Sequence, residues 1–206
     1  MVARKPSDNL KEVIRDFRRE QVVSVARRLF GERGTTNVSM DEIAAEAGVS
    51  RSTVYVYFAN RDELLRACLK GMHDQLLDDI AVTWEQESDP QRRLECLICG
   101  LLERIDDDPA FFRQALVAQG SINQGGRVVE DELALIGLNI ARLISDLVVE
   151  GVTLGAFRDI DPDQATSLIG QQIYGAMSVR AGEPEPLPAE QVAAVTCEFI
   201  LHGLNA

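Results

Sequence analysis

Ser50, Arg51, Ser52, Thr53 and Tyr55 fall within six consecutive residues and bring together three aliphatic hydroxyls, a phenol and a guanidinium. Groups of this kind hydrogen-bond to phosphate oxygens and to base edges. No acidic side chain occurs between Ala47 and Asn60, and Arg51 and Arg61 bracket the stretch. A merely solvated helix face more often includes Glu or Asp, whereas a helix entering a groove lined by phosphates must do without them.

The elements that hold these side chains are legible from their caps. Ser39 with Glu42 three residues later forms a capping box, Val38 and Ile43 are placed as a hydrophobic staple, and a helix is predicted from Met40 to about Ala47. Gly48 supplies a left-handed turn, Ser50 caps a helix through Tyr57, and Asn60 with Glu63 marks the next start. Val54 and Phe58, four apart, point to a core and leave Ser52 and Val56 on the opposite side, flanked by Thr53 and Tyr55. This is the pattern of a helix-turn-helix unit. It also suits the corner of a helical bundle, so spacing alone leaves both open. Ahead of it, Ile14, Phe17, Val22, Val25, Ala26, Leu29 and Phe30 predict one apolar face of a first helix that stops at Gly34.

The stretch from Arg19 to Leu65 closely resembles the DNA-binding domain of TetR-type transcriptional regulators. The resemblance rests on Val25-Ala26-Arg27-Arg28-Leu29-Phe30, on Ile43-Ala44-Ala45-Glu46-Ala47-Gly48-Val49-Ser50, and on Val54-Tyr55-Val56-Tyr57-Phe58 followed by Asp62-Glu63-Leu64-Leu65. It implies that Ser50 to Tyr57 is the recognition helix, that Tyr55 bonds a phosphate, and that Arg61 holds the DNA backbone. Base reading then falls to Arg51 on guanine, to Ser52 and Thr53, and to Val56 against a thymine methyl. Ser39 and Tyr57 complete the expected DNA-facing set. Val56 departs from the family, which often has an aromatic residue or His there. A second departure is the basic extension with Arg4, Lys5, Lys11 and Arg15, either a minor-groove arm or a solvated terminus.

Charge is divided along the chain of 206 residues: residues 1–69 carry a net +2 and residues 70–206 a net −14. Only the first third suits a polyanion. With 46% apolar residues the chain is expected to fold around a core. It lacks an apolar run of membrane-spanning length, and its N-terminus lacks a signal peptide's apolar stretch, so a cytoplasmic protein is expected. The 3.6-residue rhythm predicts an all-α fold, with further helices over Asn60–Gln86, Pro90–Asp107, Pro109–Gln119, Gly126–Glu150, Pro162–Ala181 and Pro188–Leu204. Proline opens four of them, as the first turn allows. The helix holding Leu94, Leu97, Ile98, Leu101, Leu102 and Ile105 is apolar almost all round and should be central.

The resemblance divides the chain into a DNA-binding domain over 1–65 and a ligand-binding and dimerisation domain over 66–206. It implies a homodimer through the last two long helices. Leu168, Ile169, Ile173, Ala176 and Met177 in one, with Val192, Val195, Phe199, Ile200 and Leu204 in the other, are more apolar than two half-solvated helices need. It also implies a ligand pocket, for which Met72, Gln75, Leu76, Trp84, Cys96, Cys99, Phe111, Phe112, Asn139 and Tyr174 are the candidates, and which suits a small, largely apolar effector.

Cys96 and Cys99, with Cys68, Cys197 and His73, offer an alternative as a thiol or metal sensor, although a C-x-x-C pair amid leucines behaves as small hydrophobes. Free thiols fit a reducing compartment. An all-α ligand-binding protein or enzyme is a further alternative, but no recognised nucleophile, phosphate or dinucleotide motif occurs. The expected reading is a dimeric repressor of double-stranded operator DNA, with no catalytic residue, no cofactor and no metal.

Overall fold

The computed structural model describes residues 6–118, 124–183 and 185–205, and among them it forms α-helices and no strand. In chain order these are α1 (Pro6–Arg33), α2 (Met40–Glu46), α3 (Arg51–Tyr57), α4 (Arg61–Trp84), α5 (Pro90–Asp107), α6 (Pro109–Ala118), α7 (Gln124–Thr153), α8 (Pro162–Gly182) and α9 (Ala189–Leu204). No helix among the described residues is long and apolar enough to cross a membrane.

Two features of α1 differ from the sequence-based expectation. Arg4 and Lys5 lie outside the described residues, but Lys11 and Arg15 belong to the regular helix rather than to an arm ahead of it. Moreover, the apolar face is buried only from Val22 onward, while Ile14 and Phe17 are exposed together with Leu10 and Val13. The first half of α1 runs past the elements that cover Val22, Ala26, Leu29 and Phe30, so its apolar spacing finds no partner there.

Pro90 and Pro162 take the first-turn positions expected, each behind an aspartate cap: Asp89 accepts from the Gln91 N–H at 3.0 Å and Asp161 from that of Gln164 at 2.9 Å. Pro188 instead stands at the N-cap itself, and α9 begins one residue later.

The buried apolar residues form two cores. The first is built by α1, α2, α3 and the start of α4, and is completed by Phe111, Ala115 and Ala118 from α6 and Val128 and Val129 from α7. The second surrounds α5, whose Leu94, Leu97, Ile98, Leu102 and Ile105 are essentially inaccessible, and takes in parts of α4, α7, α8 and α9. Burying such a side chain contributes about 1.5–3 kcal/mol. Where α1 crosses α6 the backbones touch: a Cβ on Gly31 would lie 2.7 Å from the Phe111 nitrogen and 3.1 Å from Ala110. Beside this crossing Arg27 meets Asp108 at 3.3 Å.

Candidate nucleic-acid interface and ligand cavity

The turn chemistry read from the sequence sets the geometry of the candidate interface. Ser39 Oγ accepts from the Glu42 N–H at 3.3 Å, and the Glu42 carboxylate accepts from the Ser39 N–H at 2.9 Å. The Ser39 hydroxyl, which donates to the Glu42 carboxylate at 2.7 Å, and then the Ser39 N–H hold that carboxyl below its ordinary pKa. Gly48 takes the left-handed φ of 64° that turns the chain from α2 to α3. Ser50 Oγ accepts from the Thr53 N–H at 3.1 Å, and Asn60 Oδ1 from the Glu63 N–H at 2.9 Å. Val54 and Phe58 are fully buried and key α3 onto the first core.

This seating leaves the opposite side of α3 in solvent. Arg51, Ser52, Tyr55 and Val56 are exposed, Val56 at 77%, while Thr53 and Tyr57 are partly covered. Ser52 and Thr53 place their hydroxyls 2.8 and 2.7 Å from Ser50 Oγ, so the three hydroxyls form one cluster. Arg51 reaches back to α2, where its guanidinium meets both oxygens of Asp41 at 3.0 and 3.1 Å, and it lies 5.5 Å over the Tyr55 ring. Asp41 was not among the expected site residues, and the only sequence signal for it is an acid in the first turn of α2, opposite the arginine across the turn. Arg61 donates to the Thr36 carbonyl at 2.9 Å and lies 3.6 Å from Asp62, which ties the start of α4 to the loop before α2.

A cavity of about 470 Å³ lies among α4, α5, α6, α7 and α8. Of the residues expected to line a pocket, Met72, Leu76, Phe111, Phe112 and Tyr174 do so. Asn139 is exposed and off the lining, with its amide nitrogen 3.1 Å from His73 Nε2, and His73 itself lines the space. Gln75 is exposed, and Trp84 is turned away to donate to the Arg93 carbonyl at 3.2 Å beneath the Arg93 guanidinium. Cys96 and Cys99 are not on the lining either; both are half-buried on α5, and Cys99 packs against the second core. Much of the wall comes from α7, through Leu133, Ile136, Gly137, Ile140 and Ile144, a helix from which the sequence offered only Asn139. Apolar residues that face a cavity and those that face a core share one spacing, so periodicity could not separate them.

The four cysteines are free thiols. Burial pushes Cys68 and Cys197 up to about 12 and Cys99 up to about 11, the reverse of what a reactive or metal-binding thiolate requires. Among the described residues, no group of three or more His, Cys, Asp or Glu is placed to hold a metal ion. On α8 and α9 the apolar positions divide. Ile169, Ile173, Ile200 and Leu204 are buried in the second core, Ala176, Met177 and Val192 are partly buried against it, and Leu168, Val179, Val195 and Phe199 are exposed.

Two short helices joined by a glycine turn, the second with an acid-free outer face, and a cavity among the helices that follow are the arrangement of a helix-turn-helix transcriptional regulator. The family model described as bacterial regulatory proteins, tetR family, matches residues 22–68. The chain is 36% identical over 189 residues to the HTH-type transcriptional regulator BetI of Rhizobium meliloti (strain 1021), covering 92% of this chain and 90% of that protein. It is 25% identical over 191 residues to the HTH-type transcriptional repressor KstR2 of Mycolicibacterium smegmatis, covering 91% of each. Its fold is similar to that of the transcriptional regulator FadR from Bacillus subtilis in complex with stearoyl-CoA, with a TM-score of 0.77 at 17% identity over 90% of this chain and 99% of that one. The chain belongs to the TetR family: it is a ligand-responsive transcriptional regulator and not an enzyme.

Proposed function

We propose that the chain is a repressor that binds a pseudo-palindromic operator as a homodimer and leaves it when a small, largely apolar molecule fills the cavity. The observation that carries this reading is the outer face of α3, where Arg51, Ser52, Tyr55 and Val56 stand in solvent on a helix keyed to the core by Val54. In this reading Tyr55 and Arg61 hold phosphates, with Ser39, Ser50 and Tyr57 supporting the approach. Arg51, Ser52, Thr53 and Val56 read bases. Residues 1–65 then carry the operator contacts and residues 66–206 the ligand and the dimer.

The exposed Leu168 and Val179 on α8 and Val195 and Phe199 on α9 support a four-helix dimer interface. Two-fold symmetry requires half-sites one helical turn, or a multiple of it, apart. The apolar lining supports the effector class, as does the ketosteroid named for the KstR2 structure from Mycobacterium tuberculosis. Release follows from linkage: a ligand weakens DNA binding by as much as it prefers the non-binding conformation, and a coupling of about 1–3 kcal/mol lowers affinity roughly 5- to 150-fold. Phe111 lines the cavity and belongs to the first core, so α6 as well as α4 connects the two units.

The test is selection of bound fragments from the source genome, with affinity measured against salt on whatever is enriched. Enrichment of one pseudo-palindrome supports the reading, and weak binding that vanishes as salt rises with no enrichment overturns it. On the enriched site, Arg61→Ala should weaken binding to all sequences and reduce the salt slope by about one phosphate contact, whereas Arg51→Ala should relax preference at a single base position.

A further inference from the structure

We propose that the cavity selects an uncharged molecule, one with an apolar body and a single hydroxyl or carbonyl group, and rejects carboxylates and coenzyme A thioesters. This rests on the reading of the cavity as the effector site. Among the described residues the one cation on the lining is Arg104, and its guanidinium is already committed to two carboxylates, Asp79 at 2.8 Å and Asp107 at 3.0 Å. The only lining carboxylate among them, that of Glu130, adds negative charge at an exposed position. The chain between 119 and 126 carries no lysine or arginine, and residues 70–206 together carry a net −14. An anionic headgroup would therefore lose its hydration, compete with Asp79 and Asp107 for Arg104, and meet repulsion from Glu130.

Two uncharged polar side chains stand on the described lining, Tyr174 and His73, and the second has an unmet need. His73 lines the cavity and is 7% exposed, and Asn139 presents its amide nitrogen to Nε2 at 3.1 Å, which leaves the ring proton on Nδ1. Nδ1 is buried without a hydrogen-bond partner. Burial also lowers the histidine pKa, so the ring is uncharged near neutral pH and attracts no anion. In this assignment a ligand hydroxyl or carbonyl oxygen reaches the His73 ring and supplies the acceptor that the protein does not.

The full chain is titrated by calorimetry with 1-decanol, decanoate, decanoyl-coenzyme A and decyltrimethylammonium, which share one tail and differ in the headgroup. Decanol should bind at least about tenfold more tightly than decanoate and decanoyl-coenzyme A, and more tightly than the ammonium probe, whose charge the apolar lining desolvates. Decanol binding should be lost in Gly137→Phe, where a lining glycine whose Cβ would meet nothing within 4 Å is replaced by a ring that fills the space. Tighter binding of any charged probe that is itself lost in Gly137→Phe overturns the ligand class and leaves the cavity as the effector site. Binding of none of the four, or binding that Gly137→Phe leaves untouched, overturns the cavity reading and this inference with it. His73→Phe, which keeps a planar ring, should lower decanol affinity about fivefold; unchanged affinity would remove the histidine from the ligand contact.

Discussion

The two cores of this molecule expose their functional surfaces in opposite ways. Around the first, short helices are stopped and started by side chains that satisfy their ends, and the groups proposed to meet DNA stand outside a sealed interior. Around the second, long helices pack on α5, and the surfaces that remain for binding are the places where packing stops: a cavity within and an apolar face on α8 and α9. Polar recognition can be built from local hydrogen bonds at helix termini. Apolar recognition has to be left over from the packing of whole helices.

The largest test of this contrast is Phe111→Ala. Phe111 is fully buried, sits on the cavity wall and completes the first core, so its loss should cost about 3–5 kcal/mol in denaturant unfolding. It should also impair DNA retention although the residue lies far along the chain from α3. Next comes Val195→Asp combined with Phe199→Asp, which places charges on the exposed face of α9. The helical content by circular dichroism should hold while sedimentation shifts to a monomer, an association penalty of about 2 kcal/mol or more; a variant that remains dimeric would break the assignment of that face.

Smaller effects belong to the capped end. Ser50→Ala removes the cap of α3 and should lower stability by about 1 kcal/mol in thermal melts. Asp41→Asn keeps the shape but frees the Arg51 guanidinium, and should raise affinity for non-operator DNA about two- to fivefold at low salt, an effect that fades as salt rises. The smallest is a pH effect. Burial, reinforced by Lys70 and opposed by Asp74, holds His73 below its ordinary value of 6.5, so the unfolded chain takes up that proton before the folded one does. The contribution to stability is therefore full above pH 6.5 and is lost as pH falls through the lower folded value, a slope that His73→Phe should remove from urea midpoints measured between neutral and mildly acidic pH.

What the sequence revealed follows the same division. Ser39, Glu42, Gly48, Ser50 and Asn60 act through bonds that span two to four residues, and so the helix-turn-helix could be read one turn at a time. The ion pair between Asp41 and Arg51 crosses that turn and leaves no periodic trace. On α1, Ile14 and Phe17 carry core-like spacing yet find nothing to bury them, because spacing reports what a helix offers and not what reaches it. The wall contributed by α7 was hidden for a related reason: which of its apolar faces meets α4 and which meets a void is decided by helices distant in the chain.

The crossing of α1 over α6 at Gly31 bears on engineering. Exchanging residues 1–65 between relatives to give an existing sensor a new operator treats the head as a cartridge. Here the cartridge would need to bring a glycine at position 31 and an apolar socket cut for Phe111, Ala115, Val128 and Val129, all of which stay with the recipient. A hybrid joined at α4 alone inherits the plug from one parent and the socket from the other, and the workable unit of exchange includes α6 and the first turns of α7.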